Sequence, residues 1–167
     1  MFRQIRRKEK QLTTDDCYKI LGAAEYGTLA TIGQDGYPYA VPVNFVYHNE
    51  SIYFHCAKVG HKLENIHYCP NVSFNVVRDI FVVPILSESK FQGFDTNFNS
   101  VTIFGKAVEV FGDEKLEGLH ILLKRFLSKE GYETHKEEGL KYIEKSLDRT
   151  KLIKIEIKYM SGKKGIK

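Results

Sequence analysis

Two rhythms of apolar residues run along this chain, and the switch between them marks out its elements. Cys17, Ile20, Leu21 and Ala24 recur three and four apart, the spacing of one buried stripe on a helix. Thr13, Thr14, Asp15 and Asp16 precede the stripe with a capping hydroxyl and acidic residues suited to the positive helix end, and Gly27 is expected to stop it. The period then drops to two. Thr28–Ile32 reads as a short strand, and Gly33-Gln34-Asp35-Gly36 is turn chemistry. From Tyr37 to Tyr47 the odd positions are all aromatic or Val, while the even ones read Pro38, Ala40, Pro42, Asn44 and Val46. That alternation predicts one strand with two unlike faces. His48-Asn49-Glu50 turns the chain and Ile52–Cys56 returns, so two hairpins follow one another as an antiparallel meander.

Further along, Lys58 to Cys69 reads as a short helix with Leu63 and Ile66 facing inward and Pro70 closing it. Val72–Val77 is a strand, Ile80–Leu86 is β-like but broken by Pro84, and residues 87–97 read as a polar loop. Ser100–Phe111 is a long strand rich in β-branched residues. Asp113 can cap a helix whose stripe includes Leu116, Leu119, Leu122, Leu123, Phe126 and Leu127. A further helix is expected over Lys136–Leu147 and a last strand over Leu152–Ile157. No repeat or low-complexity linker divides the chain, so residues 1–167 are expected to form one domain. Many antiparallel strands, with helices at the start and near the end, predict a mainly β, α+β architecture or a barrel with peripheral helices.

Composition narrows the function classes. At 167 residues the chain is long enough for a substantial core. Net charge is +4, with much of the basic surplus near the two ends, and no recognition motif accompanies it, so solvated tails fit better than a nucleic-acid surface. Cys17, Cys56 and Cys69 are odd in number and form no Cys-x-x-Cys pair, the pattern of a reduced cytoplasmic protein. The first residues carry charge in place of an apolar leader, and no apolar run reaches the length of a membrane span. A metal is not expected: the six histidines include no His-Glu-x-x-His, and His61 and His67 are six apart, off the one-face spacing. Gly-x-Gly-x-x-Gly, the Walker loop and the Gly-x-Ser-x-Gly elbow are all absent.

Two local features carry candidate chemistry. Pro38 and Pro42 remove donors from the same side of an alternating strand, so that side is expected to be a sheet edge. It is either an ordinary rim or a surface where a flat heterocycle meets the backbone of Val41, Pro42, Val43 and Asn44. The second feature is Lys58-Val59-Gly60-His61-Lys62, leading from a strand into a helix. Gly60 permits close backbone approach, the helix start presents free N–H groups, and Lys58, His61 and Lys62 add donors and positive charge. It is either a solvated basic turn or a phosphate cradle.

At these residues the chain resembles the pyridoxamine-phosphate-oxidase-like FMN-binding split barrels, and within them the nitroimidazole-resistance proteins. The matching pieces run from Gly27–Thr31 through Asp35–Asn44, Ile52–Lys58 and Gly60–Lys62. They continue with Asn65, Pro70, Val72–Phe74, Ser100-Val101, Gly105–Ala107 and Met160–Lys163. The resemblance implies a six-stranded antiparallel split β-barrel that forms a homodimer with FMN at the subunit interface. Val41, Pro42, Val43 and Asn44 would line the flavin ring. His55, Cys56 and Ala57 would flank its side chain or ring edge, and Lys58, His61 and Lys62 would hold its phosphate. Asn99 and Ser100 would reach FMN in the partner subunit. A histidine matters for electron transfer in the nitroimidazole-resistance proteins, and His55 or His61 stands in the matching motif, with His55 taken as the catalytic candidate. The implied activity is FMN-dependent oxidoreduction of a small acceptor, a nitroaromatic compound among the candidates. The alternative is a non-catalytic flavin- or haem-binding protein, a flavin store or redox sensor. The C-terminus lacks the arginine-rich substrate contacts of the pyridoxamine-phosphate oxidases themselves, which argues against that substrate.

Overall fold

The computed structural model describes residues 2–165. Thr13 caps α1 (Thr14–Ala23), its hydroxyl oxygen accepting the Asp16 amide at 3.1 Å, and Cys17 and Leu21 are buried beneath the helix. The helix ends at Ala24 rather than at Gly27. Gly27 belongs to β1 (Tyr26–Ile32), where a Cβ would strike the Phe74 ring, so the residue is needed for barrel packing and not for helix termination.

Among the described residues seven antiparallel strands form one sheet in the order β2-β1-β5-β6-β7-β4-β3. Their ranges are β2 Pro38–Asn44, β3 Val46–His48, β4 Ser51–Ala57, β5 Asn71–Ser87, β6 Lys90–Val110 and β7 Thr150–Lys164. The count is seven where six were expected, and Phe45 is the reason. The single strand predicted over 37–47 changes partners there: β2 pairs with β1 as far as Tyr26↔Asn44, and β3 pairs with β4 from Val46↔Tyr53. The Phe45 ring is fully buried and meets Phe74 edge-on at 4.9 Å between centroids. Burying that ring turns the backbone through a corner.

The polar loop expected over 87–97 is also corrected. β5 and β6 continue past the barrel as a hairpin, joined by Glu88 and Ser89, both at positive φ (48° and 64°). Pro84 pairs with Phe94 on one side only, so its missing donor interrupts no ladder on the other.

Leu29, Phe45, Ile52, Phe54, Phe74, Val101, Ile103 and Ile155 fill the barrel. A second core covers the outer face of β4, β7 and β6, where Tyr53, Val110 and Leu152 pack under Leu119, Leu122 and Ile143. Those last three come from α3 (Gly112–Phe126) and α4 (Lys129–Ser146). Asp113 lies in the first turn of α3 rather than at its cap, and α4 starts earlier than expected, with a kink at His135. The short helix α2 (His61–Tyr68) faces the barrel with Leu63 and Ile66, as the periodicity predicts. The fold is therefore mainly β, a split barrel with peripheral helices. Among the described residues no helix is long and apolar enough to cross a membrane.

Candidate functional site

The corner at Phe45 opens a wedge in the barrel wall. On one side runs β2, the terminal strand of the sheet, as the proline pair predicts. On the other side β4 pairs with β7 along its whole length but with β3 only as far as Tyr53. Phe54 to Ala57 therefore present an open backbone edge toward β2, and the two strands approach without pairing. A proline contributes no N–H to a ladder, so β1 is best served by the odd residues of β2, leaving the even ones to face the free side. The amides of Ala40 and Asn44, with the carbonyls between them, then point into the wedge.

Side chains along β2 divide the same way. Val41 and Val43 are half-buried against the barrel core, while Pro42 and Asn44 are exposed. The Asn44 side-chain amide donates to the Glu25 carbonyl at 3.2 Å, tying the wedge's narrow end to the start of β1. Val41 and Val43 thus fasten β2 to the core and to β1, and the backbone groups left for a ligand are those of Ala40, Pro42 and Asn44.

The wide end is closed by the start of α2. Gly60 caps that helix at φ 138°, a conformation that L side chains rarely adopt, and its carbonyl accepts the amides of Leu63 and Glu64. No side chain caps the first turn, so the amides of His61 and Lys62 have no intrahelical acceptor. The His61 ring lies 4.2 Å from that of Tyr39, bridging α2 to β2. Asn65 anchors the helix from beneath: its side chain is buried and donates to the Thr31 hydroxyl at 3.0 Å. Lys62 is half-buried, Lys58 is exposed, and neither forms an ion pair among the described residues.

Cys56 lies between these parts. Burial pushes its thiol above the ordinary range, and the neighbouring Lys62 ammonium draws it part of the way back. The group remains a neutral thiol and not a nucleophilic thiolate. His55 points the opposite way from Cys56, off the outer face of β4. With Leu119, Leu122, Phe126, Tyr142 and Ile143 it lines a cavity of about 210 Å³ under α3 and α4. Part of the ring stays open to solvent, and burial of the rest lowers its pKa from the usual 6.5, which leaves it neutral at physiological pH. The wedge edge and the cavity meet at this one residue.

Val41–Asn44, His55–Ala57, Lys58, His61 and Lys62 are thus gathered along the neighbouring edges of β2, β4 and the start of α2, although the His55 ring points away from the others. Asn99 and Ser100 are not gathered there. They lie on β6, where the Asn99 amide donates to Asp79 at 2.8 Å and the Ser100 hydroxyl to the Lys163 carbonyl at 3.3 Å. In the sequence Tyr39 and Asn65 stand only within the matching pieces, with no role attached, and the helix-covered cavity is not legible there. Tyr39 differs in no local respect from its aromatic neighbours, and the cavity depends on how two helices pack. Among the described residues no three metal-ligating side chains cluster.

A family model described as pyridoxamine 5′-phosphate oxidase matches residues 13–164. No curated protein matches the sequence. Among solved structures, a candidate 5-nitroimidazole antibiotic resistance protein from Bacteroides thetaiotaomicron superposes with a TM-score of 0.71 at 20% identity, over 93% of this chain and 86% of that one. The FAD and heme binding protein from Mycobacterium smegmatis gives 0.74 at 20% identity, over 95% and 74%. The flavocytochrome Anf3 from Azotobacter vinelandii gives 0.74 at 18% identity, over 98% and 75%. At these identities the three share the fold with this chain.

Proposed function

The chain belongs to the pyridoxamine 5′-phosphate oxidase family, and from that premise we propose that it binds FMN in the β2–β4 cleft and acts as an oxidoreductase toward a small acceptor. The observation that carries this is the pairing of an open, proline-marked strand edge with a lysine-bearing helix start at the cleft's wide end. A flat ring with donors and acceptors on one edge suits the free Pro42 carbonyl and the backbone of Asn44, with Val41 and Val43 holding that strand in place, and a phosphate suits the free amides of α2 together with Lys62, His61 and Lys58. The open edge at His55–Ala57 faces the same ligand from the other side. Bound flavin would supply the redox chemistry, taking electrons from a reductant and passing them to the acceptor. The protein's part is to hold the ring, order the phosphate and limit water. His55, neutral and beside a cavity of about 210 Å³, stands where a small planar acceptor would be met, a nitroaromatic compound among the candidates.

Asn99 and Ser100 lie away from the cleft of their own chain, and in this proposal they serve the cleft of a second copy in a cytoplasmic homodimer. Flavin is named as the ligand of one neighbouring structure and haem as a second ligand of the same protein. A flavin- or haem-binding protein without turnover is therefore the second reading, favoured by the neutral His55 imidazole facing an apolar cavity. The test is anaerobic reduction of the flavin-loaded protein followed by addition of nitroimidazoles or quinones. Reoxidation faster than that of free FMN is expected. A rate equal to that of free FMN would remove the enzymatic reading and leave the carrier or sensor.

A further inference from the structure

Residues 79–97, the outer half of the β5–β6 hairpin, leave the barrel as a two-stranded arm. β1 meets β5 only at Ser73–Asn75, and the pairing of β7 with β6 ends at Asn99, with Gly165 donating to the Phe98 carbonyl just beyond it, so among the described residues no third strand pairs with the arm. One face is apolar along its length. The cross-strand pairs Pro84↔Phe94 and Leu86↔Phe91 continue from Val82, and Val82, Leu86, Phe91 and Phe94 are 63%, 60%, 66% and 70% exposed. Ile80, Phe81 and Ile85 are exposed as well. A two-stranded ribbon is marginal in water by itself, and apolar exposure on this scale marks a surface that is normally covered.

The size and charge of the arm select what covers it. At roughly 200 Å² per large side chain, Val82, Leu86, Phe91 and Phe94 leave on the order of 500 Å² open on that face, so two arms related by a two-fold axis, each with the body surface it covers, reach the area of a standard stable interface. The arm carries Asp79, Glu88 and Asp95 against Lys90, a net −2 in a chain of net +4, which leaves the remainder at +6. Such an arm is repelled by anionic lipid and by nucleic-acid phosphate, and it is matched to the basic body of another copy of this chain. Its own chain shows the attraction on a small scale, Lys10 lying 3.9 Å from Asp95. A two-fold axis then lets each protomer give and receive the same contact.

We propose that residues 79–97 are the clasp of a homodimer. The apolar face of the arm lies on the body of a second copy and brings its root residues Asn99 and Ser100 to the partner's cleft. This rests on the dimeric cofactor site proposed above and names the surface that builds it.

Two measurements test the clasp. Sedimentation across a dilution series compares wild type with the double variant Leu86→Lys/Phe94→Lys, and a thermal melt checks that the barrel stays folded. Wild type is expected to be dimeric at micromolar concentration, and the variant to dissociate at least 100-fold more readily. Hydrogen exchange on the wild type needs no variant: amides of 81–86 and 91–96 are expected to be protected when concentrated and to lose protection on dilution. A folded variant that dimerises as wild type does, or arm amides that exchange equally at every concentration, overturns the proposal. Co-flotation of wild type with phosphatidylcholine vesicles would overturn it in favour of a lipid surface. Because both readouts report assembly, a protein that dimerises through the arm yet takes up no flavin would sink the cofactor proposal alone.

Discussion

His55 stands between the cleft and the helix-covered cavity, and its titration is a property of that position. Burial favours the neutral ring, so the unfolded chain takes up this proton at a higher pH than the native one. The corresponding share of stability is complete above about pH 6.5 and declines as pH falls through that value toward the lower native pKa. His55→Gln is therefore expected to flatten the acid-side loss. Urea unfolding of both proteins at about pH 7.5 and about pH 5 checks this, since the only side chain that ordinarily titrates across that window is histidine. Parallel losses in the two proteins would mean that burial of His55 contributes nothing to the acid sensitivity. The neighbouring residue is an expected site position whose state the sequence leaves open: it cannot show that Cys56 is half-buried with Lys62 beside it, and that balance keeps the thiol neutral.

At the scale of elements, the cleft exists because α2 is fastened where β4 runs out of partners. Leu63 and Ile66 supply the apolar part of that seat, and the Asn65–Thr31 hydrogen bond supplies the polar part, inside the protein. Asn65→Ala removes one buried partner and leaves the Thr31 hydroxyl with its longer contact to the Tyr39 carbonyl. A loss of about 1–3 kcal/mol is expected, read as a lower urea midpoint at unchanged slope. An unchanged midpoint would show that the helix is held by its leucine and isoleucine alone. Several elements were visible beforehand for local reasons. Thr13 announced α1, the 38/42 proline pair announced an edge, and the 63/66 spacing announced the inner face of α2. What stayed hidden depended on distant contacts. Nothing near Phe45 marks a corner, because the corner is made by burying its ring against Phe74. The Glu88-Ser89 turn lacks the Gly or Asn that positive φ usually recruits, so the hairpin it closes looked like a loop.

For the whole molecule, the order of strands turns these local facts into a site. A sheet that begins at β2 and ends at β3, with only Phe45 between them in the chain, leaves β2 and β4 side by side and unpaired. Periodicity could suggest antiparallel strands and an exposed edge, but not that the edge would face the lysines after β4; that follows only from closure of the barrel. The cofactor's name came from resemblance, since one open edge and two lysines specify an anion and a plane without specifying a flavin. The central claim, a phosphate-bearing ring held by Lys62 at the start of α2, is best tested by titrating FMN into wild type and Lys62→Glu while following flavin fluorescence, with riboflavin as the control. A charge-assisted hydrogen bond is worth about 1.5–3 kcal/mol, so FMN affinity is expected to fall by more than about tenfold in the variant while riboflavin binds both proteins alike. FMN binding of equal strength in the two proteins, or none in either, would contradict the account.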